Sequence, residues 1–435
     1  MVAIVDVTVI DVAEGVAIPG QTIVVVGDRI ERMGPVAEIE LPRDTSILDG
    51  REFYLMPGLV DAHVHFLDAS TFGPLMIANG ITLVRDTGMP TDFVLEVRDR
   101  LNRGDLLGPE MVATGAILDG TPPIIPSISV GVRTPDEARV AVRQQAAAGV
   151  DMIKVYSRLS RDAFLAILDE AEVLDLKVAG HVPETVSIED AAAAGLACSE
   201  HFFGFEQVIG RLLGGPVRST YNGMGADAGY LLRLGEVDPE ALQEVFGRLR
   251  ASGLTVCPTV VTFKVGVQTA QFQSGDFPQS KYVSPTLLEM WRSLWAGQSN
   301  LAEYVWQNWA KMVFALNEAG VPLMAGTDLS VPGVVPGFSL HDELAIWQDA
   351  GTPAADILRS ATLVPARFMG LGDRLGSLAE GKTASMVLLR ANPLENISNA
   401  RNIEAVFLRG RYFDRAALDQ ILEDVRECVE SAHGL

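Results

Sequence analysis

Along the first 56 residues apolar and polar positions alternate with a period of two. Ala3–Ala13 alternates, Gln21–Met33 carries the run TIVVV before a Gly-Asp turn, and Thr45–Leu48 leads into a further turn. Such alternation predicts short strands with one buried face, and no helical period is visible. From Pro57 the rhythm changes. Short apolar runs that end in polar residues alternate with helical segments. The predicted strands are Leu59–Phe66, Thr82–Asp86, Glu110–Gly115, Met152–Tyr156, Lys177–His181, Ala197–His201, Thr255–Val260 and Pro322–Thr327. Helix signals lie between them. Thr134 precedes Pro135, Asp136 and Glu137 as an N-cap with proline at the first helical position, and that helix closes at Gly149. Ser160 caps Arg161–Leu174, and Ser187 caps Ile188–Ala194 before Gly195.

Eight strands with intervening helices predict an α/β chain built as a (β/α)8 TIM barrel over residues 57–372. Strand character returns in Asp373–Arg411, with SMVLLR and EAVFLRGRYF. Residues 1–56 and 373–414 are therefore expected to form one small β-sandwich domain from both chain ends, and 415–435 a peripheral helix. Two long connections, Phe202 to Gly253 and Thr262 to Gly320, follow the sixth and seventh strands and are lid candidates, because such loops sit on the catalytic face. The second holds Trp291, Trp295, Trp306 and Trp309, at spacings that suit helix packing as well as a substrate wall.

The length of 435 residues suits a barrel of about 250 residues with insertions and an appendage. Hydrophobic residues make up 48% of the chain, enough for a large core. The formal net charge of −22 argues against nucleic acid and anionic membrane as partners. Cys198, Cys257 and Cys428 have no CxxC spacing, which argues against a disulfide scaffold or a cysteine zinc site. The N-terminus lacks the basic start of a signal peptide, and no apolar run reaches the roughly 18 residues of a membrane span. A cytoplasmic enzyme acting on a small molecule, associated as a homo-oligomer, is the expectation.

The chain has six histidines, at 63, 65, 181, 201, 341 and 433. Four of them close predicted strands, and in a barrel those ends converge on one mouth. His63 and His65 are two apart on a strand, so both point to one face and can share a cation. His181 ends LKVAGH and His201 ends LACSEH. Asp328 follows VPLMAGT, where a carboxylate can bind metal and accept a proton, or cap a helix. Lys154 lies in the apolar DMIKVY. Burial favours its neutral amine, which can take up carbon dioxide as a carbamate, although pairing with Asp328 would also satisfy it. His341, in HDELAIW, reads as structural.

Together His63, His65, Lys154, His181, His201 and Asp328 resemble the ligand set of the amidohydrolase superfamily, in the branch of Xaa-Pro dipeptidases, related amidases and imidazolonepropionase-like proteins. The flanking text PGLVDAHVHF, GITLVRDTG, GVDMIKVYS, AGHVPETV, AGTDLS and ATLVPARFMGL agrees, and the resemblance covers nearly the whole chain. It implies two divalent metal ions, zinc foremost. One would be held by His63, His65 and Asp328 and the other by His181 and His201, bridged by Lys154 carboxylated by carbon dioxide. The late segment departs from the pattern, reading Gly381-Lys382-Thr383-Ala384-Ser385-Met386-Val387. The loop Leu118–Ser129 (LDGTPPIIPSIS) lacks the histidine that dipeptide-cleaving relatives carry there.

The resulting expectation is hydrolysis of a C–N bond in a neutral, apolar amide, urea or carbamate. Metal-activated hydroxide would attack, and Asp328 would act as general acid and base. Tyr156 and Arg158, just past Lys154, are candidate substrate contacts. Alternatives are an Xaa-Pro dipeptidase or carboxypeptidase on the same site, or a mononuclear deaminase using the HxxE pair His181 and Glu184 with an unmodified lysine. A barrel without activity is the reading from outside the enzymes.

Overall fold

The structure is a computed structural model that describes residues 1–215, 233–295 and 304–432. Seventeen strands occur among these residues: β1 (Val2–Asp11), β2 (Val16–Val26), β3 (Arg29–Pro35), β4 (Ser46–Asp49), β5 (Tyr54–Pro57), β6 (Leu59–Val64), β7 (Ile81–Asp86), β8 (Glu110–Ala113), β9 (Ile117–Gly120), β10 (Ser129–Val132), β11 (Ile153–Val155), β12 (Val178–Gly180), β13 (Cys198–Glu200), β14 (Thr255–Cys257), β15 (Met386–Leu389), β16 (Ile403–Leu408) and β17 (Arg411–Phe413).

Both chain ends meet in one eight-stranded sheet, in the order β17-β16-β15-β5-β1-β2-β3, with β4 on β1. Its period of two sorts neighbouring residues into different cores. Leu55, Met386 and Phe407 join a core made by this sheet alone. Their neighbours Met56, Val387 and Val406 face the opposite way, into the main core of the molecule. The centre of this sheet, at β5, β15 and β16, is thus buried on both faces, while β3 and β4 stay largely exposed.

The middle of the chain forms two parallel sheets, β6-β7-β8 and β10-β9-β11-β12-β13-β14. Seven of the eight runs named from the sequence are strands here. The eighth, Pro322–Thr327, carries an isolated bridge between Leu323 and Val256 instead of a ladder. Its bonds are divided: Met324 N–H donates to Val256 O at 2.9 Å, while Ala325 N–H turns away to Ser360 O at 2.9 Å. Asp328 N–H then reaches His63 O at 2.8 Å. The segment still lies between β14 and β6, which aligns Asp328 with His63. A second correction concerns Leu118–Ser129, read above as a loop. Ile117–Gly120 and Ser129–Val132 are parallel strands paired with each other, and Leu118 pairs with Val155 of β11.

The helix signals act as their chemistry requires. Thr134, Ser160 and Ser187 each accept a hydrogen bond from the third residue on, and Gly149 closes its helix in the left-handed conformation. The C-terminal helix Arg415–Ala432 lays Val425 and Val429, one turn apart, against Leu75. No helix among the described residues is long and apolar enough to cross a membrane. His433 lies outside the described residues, as do the stretches 216–232 and 296–303 of the two lid candidates.

Candidate metal centre

Strand ends on one side of the parallel sheets bring the chemistry together, and the backbone there is unusual. His201, Phe202, Thr259, Asp328 and Ser330 all take positive φ, at 54°, 61°, 48°, 58° and 102°. Each such residue costs of order 1–3 kcal/mol and persists only where its surroundings fix it. Their concentration at the ends of β13, β14 and the 322–327 segment turns the side chains of His201 and Asp328 toward one point.

At that point the carboxylate of Asp328 faces three imidazoles. Its Oδ1 lies 3.2 Å from His63 Nε2 and 3.3 Å from His65 Nε2, and its Oδ2 lies 3.8 Å from His201 Nε2. The rings of His63 and His201 are 4.5 Å apart at their centroids, and those of His201 and His181 are 5.0 Å apart. Ligand atoms of His63, His201 and Asp328 all lie within 4.8 Å of one another.

The far side of each ring is already engaged. His63 Nδ1 is 2.7 Å from Glu200 Oε2, His65 Nδ1 is 2.7 Å from Gly88 O, His181 Nδ1 is 2.9 Å from Ser157 Oγ, and His201 Nδ1 is 2.5 Å from Thr259 Oγ1. A carbonyl and a carboxylate only accept, so His65 and His63 carry their proton on Nδ1. Their Nε2 lone pairs then face Asp328. Outer partners of this kind hold histidines ready for a cation. His63 Nε2 is buried and makes no hydrogen bond, although Asp328 Oδ1 lies 3.2 Å away. With the Nδ1 protons engaged outward, neutral His63 and His65 offer Asp328 only lone pairs. That geometry fits a divalent cation better than it fits direct bonds.

Electrostatics separate the rings. Burial, with the neighbouring His201, pushes His181 well below its ordinary range, and burial takes His201 down to about 3. Burial also opposes the charge on His65, yet Asp328 holds it above its usual value. Against burial, His201 and His63 hold the Asp328 carboxyl well below the ordinary carboxylate range. Neutral His181 and His201 beside an ionised Asp328 are the protonation states a metal needs, and a cation would displace the proton that Asp328 favours on His65.

Lys154 is 1% exposed, and its Nζ makes no hydrogen bond. Burial lowers its amine below the ordinary range, against the pull of Glu200 and Asp328. The alternative, a hydrogen-bonded pair with Asp328, is therefore absent. A buried amine left alone is a costly arrangement unless another group completes it.

Of the other sequence-derived candidates, Tyr156 lies against the cluster. The Tyr156 ring stacks on His181 at 3.9 Å, and Phe203 stacks on His181 at the same distance. Arg158 is exposed and its guanidinium donates to Pro122 O at 2.9 Å, while its N–H donates to Asp119 at 2.8 Å. Glu184 is half-buried, three residues past His181. His341 Nε2 donates to Asn79 O at 2.9 Å, at the end of the helix Phe72–Ala78. Trp291 and Trp309 are buried in helix packing, the latter stacked on Phe263 at 4.0 Å. The side chain of Trp295 lies outside the described residues. Two surface cavities, of about 440 and 640 Å³, are lined by none of the cluster residues.

Sequence reasoning missed Glu200 and Arg85. Both are fully buried, and Arg85 Nη2 lies 2.8 Å from Glu200 Oε1. A signal was present: each is a charge inside an apolar run, and Glu200 immediately precedes His201.

Comparison with known proteins agrees with this geometry. The model of the amidohydrolase family matches residues 54–412. The chain is 23% identical over 415 residues to adenine deaminase 3 of Rhizobium meliloti, covering 92% of this chain and 56% of that protein. It is 30% identical over 104 residues to imidazolonepropionase of Thermoplasma acidophilum, covering 22% of this chain and 25% of that one. The matches thus span at most about half the length of these curated relatives. Among solved structures, bottromycin amidohydrolase has a TM-score of 0.78 at 24% identity, covering 98% of this chain and 90% of its own. An Xaa-Pro dipeptidase with bound methionine has a TM-score of 0.69 at 22% identity, covering 95% of this chain and 99% of its own. These likenesses establish the fold. Members of the matched family are hydrolases acting on carbon–nitrogen bonds. With the match running from β5 through β16 and across every residue of the cluster, the chain belongs to the amidohydrolase family.

Proposed function

We propose that this chain is a metal-dependent hydrolase that cleaves a C–N bond of amide, urea or carbamate type in a neutral, apolar substrate. One observation carries the reading. Three histidines with engaged Nδ1 atoms face an ionised Asp328, with His181 against His201, beside a buried Lys154 amine that makes no hydrogen bond. His63, His65 and Asp328 would hold one divalent ion, and His181 and His201 a second. Lys154, carboxylated by carbon dioxide, would bridge them. Zinc is the expected metal, since imidazole and carboxylate oxygen suit it. Ions so held supply Lewis acidity toward a carbonyl oxygen and toward water.

The chain's own residues do the rest. Asp328, ionised and 17% exposed, accepts the proton of the attacking water and returns it to the leaving nitrogen. Glu200 and Thr259 keep His63 and His201 aimed. Tyr156, stacked on His181, and Arg158, which ties down Pro122, would stand at the rim where substrate enters. Neutral substrates are favoured because Leu118–Ser129 contains no histidine, lysine or arginine. The finer architecture belongs to the same reading. The two parallel sheets would be arcs of one (β/α)8 barrel over 57–372, joined through 322–329, with 1–56 and 373–414 as a small sandwich. A cytoplasmic homo-oligomer is proposed with it.

The test is a hydrolysis screen of protein reconstituted with zinc, manganese or cobalt. It would cover N-acyl amines, ureas, carbamates, Xaa-Pro dipeptides and aminopurines. Amine release from the neutral amides or carbamates is expected. Ammonia release from aminopurines alone would assign the site to deamination through Glu184, and no turnover at all would contradict the proposal.

A further inference from the structure

We propose that Arg85 and Glu200 act as a positioning pair, in which Arg85 fixes Glu200 and Glu200 fixes the tautomer and aim of His63. The proposal rests on His63 being a metal ligand, but its central readout does not need metal. Arg85 stands on β7 and Glu200 on β13, in different sheets, and both are completely buried. Their side chains meet through Arg85 Nη2 and Glu200 Oε1 at 2.8 Å. Arg85 Nε also donates to Ala62 O at 2.6 Å, the carbonyl just before His63. Arg85 therefore grips His63 twice, through its backbone neighbour and through its carboxylate partner. Glu200 Oε2 accepts a hydrogen bond from His63 Nδ1–H at 2.7 Å.

A buried ion pair is poor value for stability alone, since well-packed apolar residues often do as well. Here it has a specific use. Arg85 is always charged and offers only donors, so it requires an oxygen from residue 200. Glu supplies a second oxygen for His63. Gln does not, and this gives a test with a definite sign. In Glu200→Gln the amide oxygen must turn to Arg85, so the NH2 faces His63. His63 can then only accept at Nδ1, and its proton moves to Nε2, the atom that should hold the cation. Removing Arg85 as well frees the amide oxygen to turn back to His63.

Two measurements on the full chain follow this. Nitrogen-15 NMR of histidine-labelled, metal-free protein reads the His63 tautomer. Competition with a chromophoric chelator reads zinc affinity. The expected results are an Nδ1–H tautomer in the parent, an Nε2–H tautomer in Glu200→Gln with zinc bound about 10–100-fold more weakly, and recovery of the Nδ1–H tautomer in Arg85→Met/Glu200→Gln. A structural role alone would make the double variant worse. Should Glu200→Gln fail to fold, Glu200→Asp withdraws the carboxylate by one methylene while keeping its charge, and should loosen the Nδ1–H bond and weaken zinc binding. An unchanged tautomer and zinc affinity within threefold in folded Glu200→Gln would overturn the proposal, as would a double variant indistinguishable from the single. If the parent binds no zinc, the metal-centre reading fails, while the tautomer still decides the role of the pair.

Discussion

Gly326 is the residue through which stability and chemistry can be separated most cleanly. It has no side chain, and a methyl group added there would lie 2.7 Å from Cys257 Sγ, 2.8 Å from His63 Cβ and 2.9 Å from His63 N. Ordinary contact begins near 3.4 Å, so His63 and the 322–327 segment must part by about 0.6 Å. They cannot part freely, because Asp328 N–H is bonded to His63 O at 2.8 Å and Ala62 N–H to Ala325 O at 2.9 Å. Overpacking of this size costs about 1–3 kcal/mol, which lowers Tm by a few degrees in a protein of this size. The site suffers more. Reacting groups tolerate roughly 0.5 Å of displacement, and a 1 Å error can cost about a hundredfold. For Gly326→Ala we expect kcat/KM to fall at least about tenfold while the fold survives. Thermal unfolding and steady-state kinetics on metal-loaded protein measure both. A variant with kcat/KM within twofold of the parent would refute the claim that His63 must sit where it does.

Two further predictions use other residues. Asp328→Asn keeps the shape of the side chain but removes the ionised proton acceptor, so kcat should fall about 10²–10⁴-fold; assay at saturating substrate checks it, and a loss below tenfold would exclude Asp328 as the base. Glu343 is buried and accepts from Val260 N, Val261 N and Trp347 Nε1 at 2.9, 2.6 and 2.8 Å, and burial pushes its carboxyl up to about 7. Between the ordinary glutamate range and pH 7 the folded chain holds a proton that the unfolded chain has released, so this group's contribution to stability declines as pH rises to about 7 and is level above it. Burial raises the Asp61 carboxyl to about 7 as well, so melting of the metal-free protein from pH 5 to 8 should show that slope and Glu343→Gln should reduce it; an unchanged slope would contradict the assignment.

The candidate site was legible in the sequence because a histidine-poor chain placed four of its histidines at the ends of apolar runs. Alternation likewise revealed the terminal strands, since Leu55 and Met56, or Met386 and Val387, must face opposite cores. The eighth strand was overread. Val-Pro-Leu-Met-Ala looks like a strand, but the turn of Ala325 N–H to Ser360 depends on a residue 35 positions away. β9 was underread, because Asp119-Gly120-Thr121-Pro122-Pro123 carries turn chemistry. There the Asp119 carboxylate accepts from Gly120, Ile124 and Arg158 N–H groups, and Leu118 still pairs with β11. Arg85 and Glu200 were visible as charges in apolar strands. Their partnership, between strands 115 positions apart, depends on how the sheets are arranged and could not be read from local pattern.

Metal content tests the central claim most directly. Protein loaded with zinc in the presence of carbon-13 bicarbonate, then freed of excess metal, should hold two ions per chain by elemental analysis. It should also show a carbon-13 carbamate resonance that is absent from Lys154→Met, and that variant should lose at least one ion. One ion per chain with no carbamate signal would contradict the account.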